Sequence, residues 1–167
     1  MKASRRLGSL LAAVSLAVVG LGSTTATTQA AERSAPPRAN VGFMLASNMN
    51  NRCLEIRGAN TGIGALVNMW DCHGGSNERW YWYESTIRSD LNHKCLDIAA
   101  GNGENGAAVN MWDCNGGAAQ RWAWDGARLR NPVFNKCLTI GNANWWNGAS
   151  VVMWDCNLGS HQQWHTG

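Results

Sequence analysis

The sequence predicts an all-β domain assembled from three copies of one short unit. Two observations carry that prediction. Every landmark recurs at an interval of 42 residues, and the segments between landmarks alternate in polarity with no helical stripe. The first landmark is a cysteine after a basic residue, in Arg52-Cys53-Leu54-Glu55-Ile56, Lys94-Cys95-Leu96-Asp97-Ile98 and Lys136-Cys137-Leu138-Thr139-Ile140. Nineteen residues on, a second cysteine closes Met69-Trp70-Asp71-Cys72, Met111-Trp112-Asp113-Cys114 and Met153-Trp154-Asp155-Cys156. Each unit then ends in Glu78-Arg79-Trp80, Gln120-Arg121-Trp122 or Gln162-Gln163-Trp164, so the three units tile residues 42–167.

The elements follow in order. Residues 1–30 read as an export signal. A basic start (Lys2, Arg5, Arg6) precedes the apolar run Leu10 to Leu21, and a small polar stretch leads to a cleavage point after Ala30. That run is too short to span a bilayer comfortably, so no membrane insertion is expected. Residues 31–40, with Pro36-Pro37 and no apolar pattern, read as a flexible leader, and the folded domain as residues 41–167. Within a unit, Val67 and Met69 fall on one face of an extended strand and Asn68 and Trp70 on the other; Val109, Met111, Asn110 and Trp112 repeat the pattern. Gly and Asn punctuate the segments, as in residues 58–62 and 101–106, which gives short strands at about four per unit.

Composition narrows the partners. Ten Trp stand against two Tyr and two Phe, so the chain is built on indoles, which serve both cores and stacking surfaces. With Lys2, Arg5 and Arg6 removed, basic and acidic residues balance, which leaves no electrostatic footprint for nucleic acid. Six cysteines in an exported chain read as a disulfide framework. Equivalent units pair equivalently, which leaves pairing within units or to the next unit in either direction. The simplest is local, Cys53 with Cys72, Cys95 with Cys114 and Cys137 with Cys156. Each such bridge closes a loop of about twenty residues, worth roughly 3 kcal/mol on the loop-entropy model. A thiolate metal site would need CxxC spacing, which is absent, and His73, His93, His161 and His165 show no ligand register, so no metal or other cofactor is expected. The period and the Trp-Asp dipeptide also suit a propeller, but a propeller needs at least four blades and this chain has three units.

Cys-Leu-Asp/Glu, a strand ending Asn-Met-Trp-Asp-Cys and a closing Gln-x-Trp, present three times over, resemble the ricin B-chain type lectin domain, or family 13 carbohydrate-binding module. The resemblance covers residues 41–167. It implies a β-trefoil of twelve strands, a six-stranded barrel with a three-hairpin cap, and extracellular glycan binding without catalysis through up to one shallow site per unit.

The residue chemistry runs the same way. A sugar presents hydroxyls that donate and accept and one apolar C–H face, so its site needs a carboxylate, an amide and an aromatic platform. The second unit offers Asp97, Asn110 and Trp112, with Asn115 as a further contact. Trp112 shares its strand face with Asn110 rather than with Val109 and Met111, which favours an exposed indole over a core one. The first unit offers Glu55, Asn68, Trp70, His73 and Asn77, with Glu55 in place of the usual Asp and Glu78 in place of the usual Gln. The third unit has Thr139 for the carboxylate and Val152 for the amide, so it is expected to be weak or silent. Trp145 and Trp146, in its long turn, form either a separate contact surface or a cover on the barrel rim. Trp80, Trp122 and Trp164 are expected in the core, Gln120 and Gln162 as props for backbone or site residues, and Asp71, Asp113 and Asp155 as turn stabilisers.

The leading function is therefore a secreted, monomeric lectin-type module that recognises mono-, oligo- or polysaccharide glycans. The alternative is a secreted trefoil that binds protein, such as a protease inhibitor, because one scaffold hosts both. An enzyme is disfavoured: glycoside hydrolysis needs two carboxylates converging at about 5 to 10 Å, and the acids here are spread one per repeated feature.

Overall fold

The computed structural model describes residues 42–167. The export segment at 1–30, the leader at 31–40 and Val41 lie outside the described residues. Each repeat contributes four short strands. Repeat one holds β1 (Phe43–Ser47), β2 (Cys53–Ile56), β3 (Val67–Trp70) and β4 (Arg79–Tyr83). Repeat two holds β5 (Thr86–Ser89), β6 (Cys95–Ile98), β7 (Val109–Trp112) and β8 (Ala123–Asp125). Repeat three holds β9 (Arg128–Asn131), β10 (Lys136–Ile140), β11 (Val151–Asp155) and β12 (Trp164–Thr166).

The first and last strands of the repeats close a barrel. β1 pairs antiparallel with β4 and β12, β4 with β5, and β8 with β9. The remaining seams are held by backbone bonds from Trp122 N to Ser85 O and from Trp164 N to Ala127 O, both 2.8 Å. The middle strands form three hairpins, β2–β3, β6–β7 and β10–β11, that cap one end. This is the β-trefoil.

Backbone symmetry locks the cap. Met69 N, Met111 N and Met153 N donate to Ala149 O, Ala65 O and Ala107 O at 3.0, 2.8 and 2.9 Å, each reaching the next hairpin. The return bonds come from Gly148, Gly64 and Gly106 N to the same three methionine carbonyls, all at 2.8 Å. Those glycines sit at φ of +83°, +80° and +85°, the left-handed region where a side chain is strained, so glycine is what the triangle requires. The core beneath is the expected set. Leu54, Leu96, Leu138 and the three cap methionines are fully buried.

The closing tryptophans are buried and tied. Trp80, Trp122 and Trp164 donate Nε1–H to Leu54 O, Leu96 O and Leu138 O at 3.0, 2.9 and 3.1 Å, so each indole both fills the core and pins the strand that carries the first cysteine. The disulfides run within repeats, Cys53 to Cys72, Cys95 to Cys114 and Cys137 to Cys156. Asp71 and Asp155 brace turns of other repeats, accepting from Asn147 Nδ2 and Asn105 Nδ2, both at 2.7 Å. Beyond the turn role, all three aspartates, Asp71, Asp113 and Asp155, pair with the basic residue before the first cysteine, Arg52, Lys94 or Lys136, at 3.0, 2.6 and 2.5 Å. The strand register explains this, since Lys136 lies directly opposite Asp155. Among the described residues, no helix is long and apolar enough to cross a membrane.

Candidate functional site

Hairpin register builds the same groove on each repeat. Antiparallel pairing sets Asp97 opposite Asn110, Glu55 opposite Asn68 and Thr139 opposite Val152. The residue two further along the second strand is the indole, and the strand alternation turns it outward. Trp70, Trp112 and Trp154 are 41%, 43% and 44% exposed, while Met69, Met111 and Met153 beside them are fully buried. The polarity reading of these strands therefore holds, and Trp112 is not a core residue.

Repeat two has the simplest electrostatics. A short 3-10 turn, Ala118–Gln120, places buried Gln120 beneath the groove. Its Nε2 donates to Asp97 Oδ2 and to Asp113 O, both at 3.0 Å, and its Oε1 accepts from Asn115 N at 2.9 Å. Gln120 is thus the prop that the sequence reading expected. Asn115 Oδ1 in turn accepts from Gly117 N at 2.8 Å, which fixes the rim. Burial raises Asp97's pKa above the ordinary Asp value, and the Gln120 hydrogen bond opposes the shift. Asp97, Trp112 and Asn115 line the groove with Ala100, Gly101 and Phe134. Asn110 faces Asp97 across the hairpin and is buried like its counterpart Asn68, each with Oδ1 unpartnered among the described residues.

Repeat one is rewired by one change, Glu78 in place of glutamine. Glu78 keeps the acceptor role, with Oε2 taking bonds from His73 N and Gly74 N, both at 2.8 Å. It has no N–H to give to Glu55. The neighbour supplies it: Asn77 Nδ2 donates to Glu55 Oε2 at 3.0 Å. His73 Nε2 also lies 3.8 Å from Glu55 Oε2 and 3.5 Å from Glu78 Oε1. Burial first, and then the Glu78 carboxylate, raise Glu55's pKa above the ordinary Glu value; His73 and Asn68 oppose that shift. Glu55, Asn68, Trp70, His73 and Asn77 all line this groove, together with Arg57 and Gly148.

Glu55, His73 and Glu78 bring three potential ligand atoms within 4.8 Å of one another. His73 Nδ1 accepts from Gly75 N at 3.1 Å, the bond that Asn115 and Asn157 make in the other repeats, so a neutral ring carries its proton on Nε2, pointed at the two carboxylates.

Repeat three keeps the frame without the carboxylate. Gln162 Nε2 donates to Thr139 Oγ1 and Asp155 O, both at 2.9 Å, and Oε1 accepts from Asn157 N at 2.7 Å. Trp154 and His161 line the groove, but Thr139 and Val152 take the carboxylate and amide positions.

This triplicate geometry matches one family. The model of the ricin-type beta-trefoil lectin domain fits residues 42–164. The chain belongs to that family. Among solved structures it resembles ThreeFoil, a designed 3-fold symmetric protein, at 25% identity and TM-score 0.70, covering 74% of this chain and 96% of that one. The beta-trefoil lectin of the Vibrio vulnificus hemolysin/cytolysin, solved with N-acetyl-D-lactosamine bound, is 26% identical at TM-score 0.63, covering 77% and 95%. The earthworm R-type lectin C-half, in complex with GalNAc, shares the fold at 24% identity and TM-score 0.65, covering 75% and 97%.

Two features of this ricin-type trefoil lie beyond the sequence reading. Phe134, from repeat three, lines the groove of repeat two, and Gly148, also from repeat three, lines that of repeat one. The signal for Phe134 was a break in the repetition, since the two equivalent positions hold Asn50 and Asn92. Trp145 and Trp146 leave much of their surface in solvent. They are 55% and 74% exposed on a turn that Asn50 and Arg52 hold through Trp145 O, with a further bond from Arg52 Nε to Asn147 Oδ1 at 2.6 Å.

Proposed function

We propose that the chain is an exported glycan-binding lectin that holds sugars in the shallow grooves of repeats one and two. One observation carries the reading: a buried, hydrogen-bonded carboxylate beside an outward indole in the same groove, present in both repeats and missing its carboxylate in the third. The carboxylate accepts from adjacent hydroxyls, the indole stacks on the C–H face, and Asn77 or Asn115 completes the polar contacts. Glycans held by the lectins of similar fold support the class of ligand.

Binding without catalysis fits the carboxylates. Glu78, beside Glu55, is fully buried with Oε2 spent on two backbone N–H groups, which does not suit it to be the second carboxylate that glycoside hydrolysis needs. Export fits the three disulfides, which persist in oxidising compartments. In this reading residues 1–30 are removed, and the mature chain is a monomer with two sites.

The test is a glycan array probed with the mature chain and with Asp97→Ala, at neutral and at mildly acid pH. Asp97 and Glu55 must be ionised to accept two hydroxyls. Because their pKa values are raised in the fold, they protonate at higher pH than ordinary carboxylates. Glycan binding therefore weakens on acidification from a pH above the usual carboxylate range. The stability of the free protein moves the other way: the folded state favours the protonated groups, so their contribution falls as pH rises through the raised pKa values. A defined glycan class bound at neutral pH, weakened by acid and by Asp97→Ala, is the expected result. Silence across the array from folded, oxidised protein would overturn the reading in favour of a protein-binding trefoil.

A further inference from the structure

Departures from threefold repetition mark where one repeat does something the others do not. Three of them meet at the groove of repeat two. Phe134 stands where the other repeats have Asn50 and Asn92, whose Oδ1 atoms cap Arg52 N and Lys94 N at 3.1 Å. Gly103 stands where they have Thr61 and Trp145, and a Cβ there would lie 2.9 Å from Phe134 Cδ1, so the glycine makes room for the ring. Asn131 stands where they have Ser47 and Ser89. Those serines each cap one backbone N–H, Met49 N and Leu91 N at 3.1 and 3.0 Å. Asn131 instead caps two, Val133 N and Phe134 N at 3.0 Å, and spends its amide on Ala118 O of repeat two at 2.8 Å.

The last bond is informative because Ala118 is itself a wall of the repeat-two groove. Fully buried Asn131 thus ties the loop carrying Phe134 directly to the site. The ring is half-buried, with one part packed on the core and the rest lining the groove that holds Asp97 and Trp112. Repeat one has no aromatic in this role.

We propose that Phe134 is a specificity-determining residue of the repeat-two groove, a second apolar wall that selects glycans of at least two sugar residues, the first on Trp112 and Asp97 and the next against Phe134. The inference rests on the glycan reading of that groove. It assigns the two sites different preferences: a disaccharide or longer chain in repeat two, and a single terminal sugar in repeat one, where no such wall stands.

The test isolates groove two in a Trp70→Ala background and uses an array that carries each terminal monosaccharide alone and within its disaccharides. Phe134→Asn, the residue found at the equivalent positions, is expected to weaken disaccharide binding about tenfold, as truncation of a buried aromatic anchor does, with little change for the monosaccharide. Phe134→Tyr restores the preference. Gly103→Ala keeps the ring but displaces it, and lowers the disaccharide preference without removing core-packed carbon. Equal loss for both ligand sizes in Phe134→Asn, or an unchanged ratio in both Phe134→Asn and Gly103→Ala, would overturn the proposal while leaving the lectin reading intact. Silence of the Trp70→Ala chain, while Trp112→Ala still binds, would refute groove two as a site and this inference with it. Silence of the unmodified chain would overturn both readings.

Discussion

Trp70→Ala combined with Trp112→Ala is expected to abolish retention of the mature chain on a multivalent glycan surface, with either substitution alone only weakening it. Each indole is the exposed platform of one groove, and the carboxylate and amides beside it cannot replace the area that stacks on a sugar's C–H face. In the proposed reading each shallow site binds weakly by itself. Two sites on one rigid barrel make the second binding event intramolecular, and such linkage raises avidity by about 10² to 10⁴ over a single site when the surface lets both engage. A single substitution therefore forfeits avidity and leaves one working groove, while the double substitution leaves none. Trp154→Ala is the internal control, because repeat three has the indole without the carboxylate, and its loss should change retention little. Surface plasmon resonance on a dense glycan coat reads all four proteins. Equal and complete loss from one single substitution would contradict a two-site lectin.

Trp122→Ala is expected to cost about 3 to 5 kcal/mol of folding free energy, the range for truncating a large buried aromatic. The ring is 2% exposed, and its Nε1–H satisfies Leu96 O, so the substitution leaves both a cavity and a buried carbonyl without its donor. Leu96 lies between Cys95 and Asp97 on β6, which means that the same change loosens the strand presenting the repeat-two carboxylate. Trp124→Ala, two residues on at an exposed position, should cost far less. Denaturant unfolding with the disulfides intact measures both. A loss for Trp122→Ala no larger than that for Trp124→Ala would refute its role as a core anchor.

Much of this was legible in the chain because repetition multiplies weak signals. One Gln-x-Trp says little, but three at constant spacing fix the period, and strand parity then separates outward Trp70 and Trp112 from inward Met69 and Met111. The local disulfides follow from symmetry and simplicity. What escaped the sequence depends on contacts between repeats or on depth within a face. Parity puts Asn110 on the side of Trp112 but cannot tell that it is buried while Trp112 is exposed. The salt bridges of Asp71, Asp113 and Asp155 escaped because their partners, Arg52, Lys94 and Lys136, lie nineteen residues away across the hairpin. Phe134 and Gly148 enter grooves of other repeats; the break in repetition marks Phe134, but nothing in the chain says which groove either residue enters.

The placement of sugar in repeats one and two is the central claim, and the indole N–H signals test it most directly. All ten tryptophans lie within the trefoil, so each gives one reporter in the isotope-labelled mature chain. Titration with the best glycan from the array should shift Trp70 and Trp112, and should leave unmoved the three indoles bonded to Leu54 O, Leu96 O and Leu138 O. A saturable response confined to Trp145, Trp146 and Trp154, with Trp70 and Trp112 still, would contradict the account and move the binding surface to repeat three.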